Sequence, residues 1–180
     1  MRRARSIAYA LIAVSLIVAM YFWIESLGGP TAIRERFGTK GIVVSVIAHW
    51  ILNLTPLGEF VPMALANGAI WGFWVGALVS WSGWMGASIT QYLFVRQVGT
   101  AFDVSDSLER LPSRMRAFPV GHPVFQIAGR SIPWMGLHLV NVTSAVRGVP
   151  FPRFLAFAAL GQAGPAIAMS ALGAGLVSLF

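Results

Sequence analysis

Long apolar runs and short polar interruptions alternate along this chain, and the runs are of two kinds. Ile7 to Ile24, Trp71 to Val95 and Phe154 to Phe180 each continue for eighteen residues or more, long enough for a helix to cross a hydrocarbon core roughly 30 Å thick. The first follows Met1-Arg2-Arg3-Ala4-Arg5, the charged start of a signal peptide. It ends, however, in the bulky Tyr21-Phe22-Trp23 instead of a small-residue cleavage site, so it predicts a retained transmembrane helix. The other two runs are broken. Ile42 to Ile70 is interrupted by Pro56-Leu57-Gly58-Glu59-Phe60-Val61-Pro62, and His122 to Val146 by Gly129-Arg130-Ser131-Ile132-Pro133. No half of either is long enough to span, and each break holds glycine, proline and a charge. Each therefore predicts a re-entrant hairpin shaped by Gly58 and Pro62 or by Gly129 and Pro133.

This pattern predicts an all-α polytopic membrane protein. Residues 1–41 form an N-terminal transmembrane helix and an external polar loop, 25–41, whose middle is suited to a short interfacial helix. Residues 42–180 form a membrane domain: hairpin 42–70, span 71–95, cytoplasmic connector 96–121, hairpin 122–147 and span 154–180. Gly58-Glu59-x-x-Pro62 and Gly129-Arg130-x-x-Pro133 repeat glycine, a charge and proline at the same spacing, 71 residues apart and with opposite charge. With a cytoplasmic N-terminus, Arg2, Arg3, Arg5, Arg96, Arg110, Arg114, Arg116, Arg147 and Arg153 lie inside, and only Arg34, Arg36 and Lys40 lie outside. That asymmetry satisfies the positive-inside rule and opposes the two hairpins as an inverted repeat, the arrangement that places a site near the bilayer midplane. Gly72, Gly76, Gly83 and Gly86 leave room for close helix contact, and small residues in the two later spans are compatible with a homo-oligomer.

Composition sharpens this picture. The chain is 57% hydrophobic and 11% charged, with mean hydropathy +0.72, against roughly 25% charged residues in a soluble domain. The net charge of +7 does not imply nucleic acid, because the basic residues sit between apolar runs and form no patch. Cysteine is absent and the three histidines are scattered, so neither thiolate chemistry nor a metal site is expected. No nucleophile with a base, carboxylate pair or metal cluster lies in the apolar runs, so neither an enzyme nor a cofactor is expected.

Glu59 and Arg130 are the chemical candidates. They are the only ionisable residues other than histidine within otherwise apolar stretches, where an unpaired charge costs roughly 2.5–3.5 kcal/mol on insertion scales. Two readings are open: a permanent ion pair that staples the hairpins, or Arg130 holding an anionic headgroup while Glu59 balances charge or carries a proton. Asn141, within the second hairpin, joins Arg130 as a headgroup candidate. His49, His122 and His138 each stand alone and are given no role. Asn53, Asn67, Thr143 and Gln162 read as hydrogen-bonding residues between helices.

Pro56-Leu57-Gly58-Glu59, the glycine-rich span ending Tyr92-Leu93-Phe94-Val95-Arg96, Gly129-Arg130-Ser131-Ile132-Pro133 with Asn141, and Gly161 with Pro165 together resemble the DedA / SNARE-associated (VTT-domain) membrane protein family over roughly residues 40 to 180. The resemblance implies lipid movement across a membrane, as a scramblase or as a translocase of polyprenyl-phosphate carriers, with proton coupling in some members. It matches Glu59 to the family's acidic hairpin residue and Arg130 to its Arg-x-x-Pro arginine. Two positions depart from the family pattern: Leu57 replaces a glycine beside the proline, and Gly136 stands where proton-coupled members often carry a second arginine. Both departures bear on proton coupling more than on lipid handling. The expected function is translocation of a membrane lipid or lipid phosphate in the bacterial inner membrane. The alternatives are a non-transporting factor that organises envelope proteins and a small-solute transporter.

Overall fold

The computed structural model describes residues 15, 18–19, 21–54, 61–101, 119–131 and 136–177, and every regular element among them is helical. In chain order, after helical residues 21–26, these are α1 (Gly29–Leu52), α2 (Val61–Trp71), α3 (Phe73–Ala101), α4 (Pro123–Ala128), a 3-10 turn (Gly129–Ser131), α5 (Gly136–Val146) and α6 (Phe151–Val177). Most of the expected N-terminal span lies outside the described residues, as do residues 102–118 of the connector.

The polar segment expected as a loop over 25–41 is helical from Gly29 onward. Arg34, Glu35 and Arg36 are good helix formers, so their charge does not oppose a helix. Gly38, at φ 49° and ψ −140°, breaks the helical geometry, so α1 is two helical stretches that meet at a kink. Gly148 does a different job. At φ 64° it closes α5, with Gly148 N donating to Ala145 O at 3.2 Å and Val149 N to Ser144 O at 3.0 Å, a Schellman ending. That turn leads directly into α6.

Among the described helices, Phe151–Gly175 is the one segment both long and apolar enough to cross a membrane. α3 is longer, at 29 residues, or about 43 Å. Ser80, Ser82, Ser88, Thr90 and Gln91 lower its hydropathy, however, so the span expected at 71–95 is present as a helix but is not distinguished by apolarity. α2 and α5, at 11 residues each, reach about 16 Å, half a hydrocarbon core.

The chain divides into two compact units. The first comprises residues 1–47, 60–80 and 166–180, the second 48–59 and 81–165. In the first, Ile24, Ile33, Ala66 and Ile70 form the core, with Trp71 against it. Trp71, at the end of α2, donates through Nε1 to Ser45 Oγ at 3.0 Å and lies so close to Gly41 that a Cβ there would stand 2.6 Å from its ring. The end of α2 is therefore packed against α1 within this unit. Backbones meet directly in this unit: a Cβ on Gly68 would strike the Ser170 backbone, and one on Gly173 the Leu65 carbonyl.

In the second unit Tyr92 and Phe154 stack with ring centroids 4.4 Å apart, and Met85, Val120, Ala145, Val149 and Ala158 complete the core. Trp81 Nε1 donates to Ala159 O at 2.9 Å, tying α3 to α6. Across both units small polar side chains are buried (Asn53, Asn67, Ser80, Ser88, Asn141, Gln162), while Trp74, Leu78, Phe94, Val124 and Leu160 are each more than 60% exposed. A soluble monomer does not expose large apolar side chains on this scale, so the distribution suits lipid.

Gly68→Ala and Gly173→Ala are expected to lower the thermal unfolding temperature in detergent by the equivalent of about 1–3 kcal/mol, because backbone cannot yield to the added methyl. Gly164, with nothing within 4 Å of its Cβ position, is the control: Gly164→Ala is expected to be neutral or to stabilise by up to about 1 kcal/mol. A Gly173→Ala protein as stable as wild type would contradict this packing.

Candidate functional site

Arg130 is placed by local chain chemistry. His122 caps α4, its Nδ1 accepting from Val124 N at 3.2 Å, and Pro123 supplies a preset first helical residue. α4 then tightens into the 3-10 turn Gly129–Ser131. A Cβ at Gly129 would stand 2.8 Å from Val140 Cγ2, so glycine lets the turn press onto α5. α4 and α5 pair in antiparallel fashion, as Gln126 Nε2 donates to Ser144 Oγ at 2.6 Å and Arg130 Nη1 to Asn141 Oδ1 at 2.7 Å. Arg130 is 2% exposed, its guanidinium carbon lies 5.2 Å from the centroid of the Phe154 ring, and Gly161 leaves space for its aliphatic stem.

Asn141 links this cation to a buried polar network drawn from five elements. Its Nδ2 donates to Ser88 Oγ at 3.1 Å and to Gln91 Oε1 at 2.9 Å. Gln91 Nε2 donates to Asn53 O at 2.8 Å and is hydrogen-bonded to His138 Nδ1 at 2.7 Å. Asn53 Oδ1 accepts from Trp84 Nε1 at 3.1 Å, and its Nδ2 donates to His49 O at 2.7 Å. Gln162 Nε2 donates to Ser88 Oγ at 2.6 Å. α1, α3, the 3-10 turn, α5 and α6 thus each send a polar group to one place. Among the described residues, Gln126 Oε1 and Gln162 Oε1 accept no hydrogen bond although both are buried.

Two concave features adjoin the turn. A cavity of about 10 Å³ is lined by Trp84, Arg130, Leu137, Gly161, Gln162 and Pro165, which is the size of a single water-sized group and far short of a phosphate. The other is an apolar groove of about 340 Å³ lined by Val124, Phe125, Ala128, Gly129 and Leu139, with Pro119 and His122 also contributing. Gly129 belongs to the groove and immediately precedes Arg130.

The sequence-predicted residues Gly129, Arg130 and Asn141 therefore come together. Pro62 is buried at the second position of α2, in the first unit. Gly58, Glu59 and Pro133 lie outside the described residues, as does the expected meeting of Glu59 with Arg130. Sequence reasoning missed Ser88 and Gln91 entirely and gave His138 no role. The one signal for Ser88 and Gln91 was their spacing of three, which puts two hydrogen-bonding side chains on one face of an otherwise apolar helix. Asn141→Leu is expected to lower thermal stability by about 2–4 kcal/mol, since it removes an acceptor from a buried cation, takes the Asn141 donor from Gln91 Oε1 and leaves Ser88 Oγ with Gln162 alone of its two amide donors. Val142→Ala, at a neighbouring position 41% exposed, is expected to change stability little, and equal losses in the two variants would contradict the network's importance.

No curated protein and no solved structure gives a match to this chain. The family model for the VTT domain matches residues 55–175. That span takes in α2 to α6 and every side chain of the network from Trp84 to Gln162. The chain therefore belongs to the VTT-domain family, the DedA/SNARE-associated family of membrane proteins.

Proposed function

We propose that this protein moves an anionic lipid or lipid phosphate between membrane leaflets, with Arg130 as the group that engages the phosphate. The observation that carries this reading is the buried guanidinium held by a neutral amide, Asn141 Oδ1, at 2.7 Å. A phosphate oxygen is a stronger, charged and bidentate partner for arginine than an amide oxygen, so a headgroup can displace Asn141. The amide is then one of the groups that hold the cation between transport events, in an interior where a charge costs roughly 2.5–3.5 kcal/mol on insertion scales.

The apolar groove that shares Gly129 with the arginine's turn supports a lipid over a soluble anion, because it sets a surface for hydrocarbon beside the cation. The cavity at Arg130 is too small for a phosphate. Entry of the headgroup accordingly requires the side chains around Arg130 to move apart, the alternating opening expected of a carrier. In this reading the protein is a multi-pass inner-membrane protein with a cytoplasmic N-terminus. Its two broken segments are opposed re-entrant hairpins, and Glu59, at the matching position of the first, balances the charge of Arg130 or carries a proton with the lipid. Polyprenyl phosphate fits the chemistry, as do other phosphate-bearing lipids.

In liposomes carrying headgroup-labelled lipid phosphate, the wild-type protein is expected to equilibrate label between leaflets, and Arg130→Ala and Glu59→Gln, each verified as folded and inserted, to reduce the rate at least tenfold. Wild-type inactivity over several lipid classes, or full activity in both variants, would leave the pair a structural staple and turn attention to an organising role with protein partners.

A further inference from the structure

Gly161 and Pro165 stand four positions apart in α6, and the proline lies inside the helix. Proline has no N–H, so the bond that residue 165 of a regular helix gives to the carbonyl of residue 161 is missing. Gly161 presses against the arginine's turn: a Cβ there would stand 3.0 Å from Arg130 Cδ and 3.2 Å from Ile127 Cα. Gln162, next in the chain, is 2% exposed, and its Nε2 is committed to Ser88 Oγ at 2.6 Å. Its Oε1 accepts no hydrogen bond from any described residue. Gly161, Gln162 and Pro165 all line the cavity of about 10 Å³ that Arg130 lines as well, together with Trp84 and Leu137.

The polar groups on the cavity wall divide by kind. Arg130 carries only donors. Trp84 Nε1, a second donor, is committed to Asn53 Oδ1 at 3.1 Å, and Leu137 is apolar. α6 contributes acceptors instead: Gln162 Oε1, and the Gly161 carbonyl that Pro165 deprives of its helical partner. A buried acceptor without a donor is unfavourable, so this wall suits a group that brings hydrogen, and the volume limits that group to about the size of one water oxygen. A phosphate oxygen in full negative charge suits the arginine, but two carbonyl oxygens repel it.

We propose that Gln162 is a specificity-determining residue for the lipid headgroup: its Oε1, with the Gly161 carbonyl, selects a headgroup that brings a hydrogen-bearing oxygen along with the anionic oxygens that Arg130 takes. The inference rests on Arg130 as the anion site. Two headgroup chemistries carry such an oxygen. A phosphate monoester in its singly charged form offers P–OH, and a phosphodiester whose alcohol keeps a free hydroxyl offers C–OH. A phosphodiester capped by a plain alkyl group offers neither. The second ionisation of a phosphate monoester lies near about pH 6 in water, and a water-poor site disfavours the doubly charged form, so P–OH persists there. The cavity takes that one oxygen, and the rest of the phosphate is what the surrounding side chains part to admit.

The test adds three anionic lipids to the protein in phosphatidylcholine nanodiscs: phosphatidate, which carries P–OH, phosphatidylglycerol, which carries free hydroxyls, and phosphatidylmethanol, which carries neither. Wild-type protein is expected to bind phosphatidate, or phosphatidate and phosphatidylglycerol both, roughly tenfold more tightly than phosphatidylmethanol, the effect of about one hydrogen bond. Preference for phosphatidate alone places the hydrogen on the phosphate, and preference for both admits the alcohol. In a folded Gln162→Met protein the three lipids are expected to bind alike. A second readout needs no variant: the 13C resonance of the Gln162 side-chain carbonyl is expected to move with the preferred lipid and to hold still with phosphatidylmethanol. The selection is overturned if phosphatidylmethanol binds wild type as tightly as the other two, if the preference persists in Gln162→Met, or if the carbonyl responds equally to all three. Equal binding of the three that Arg130→Ala abolishes would sink the selection and leave the Arg130 reading standing, whereas no binding of any of them would sink both.

Discussion

A guanidinium held among apolar side chains stays charged, so the fold around it has to supply oriented acceptors and polarisable faces. Among the described residues, the carbonyl oxygen of Asn141 and the ring of Phe154 supply part of that requirement for Arg130. Asn141 supplies the oxygen in the right direction because its amide nitrogen is already committed to Ser88 and Gln91. Gln91 is committed in turn to the Asn53 carbonyl and to His138. The position of one cation thus depends on polar groups from α1, α3 and α5. This is why a cluster of neutral amides, which contributes little as packing, occupies the interior of the second unit.

The same constraint accounts for how polarity is distributed. In lipid, helices gain nothing by hiding leucine from their surroundings, and they associate through close backbone approach and hydrogen bonds. Glycine at positions 68 and 173 brings main chain against main chain in the first unit. In the second unit Gly83 and Gly86 let α3 approach His49 and Trp50 of α1, and Trp50 Nε1 reaches Thr90 Oγ1 at 3.1 Å. The large apolar residues left over, Trp74, Leu78, Phe94 and Leu160 among them, face outward. Interior polar groups and exterior hydrocarbon are two sides of one solution to the bilayer as solvent.

Much of this was legible in the chain. The asparagine eleven positions after Arg130, singled out in the sequence beside it, is its hydrogen-bond partner, because the α4 turn and α5 pair in antiparallel fashion. The residues that complete the network were less visible. Ser88 and Gln91 sit in a long helix where small polar residues read as packing, and nothing in the sequence says which face of that helix meets Asn141. His138 looked solitary because its partner lies 47 positions away. The helical stretch after Gly29 was legible in part, since a short helix was expected in the middle of 25–41 while the helix begins at Gly29 itself. Its charges and flanking glycines resemble a loop, while the intrinsic preference of Arg34, Glu35 and Arg36 is helical.

The central claim is that Arg130 exchanges an amide oxygen for a lipid phosphate. The most direct test is a solid-state NMR measurement of the dipolar coupling between the 15N-labelled arginine guanidinium and lipid 31P in bilayers containing a phosphate-bearing lipid. The account predicts a 31P contact at hydrogen-bonded range that disappears in a folded Arg130→Gln protein. No such contact with any phosphate-bearing lipid, or a contact that survives Arg130→Gln, would contradict it.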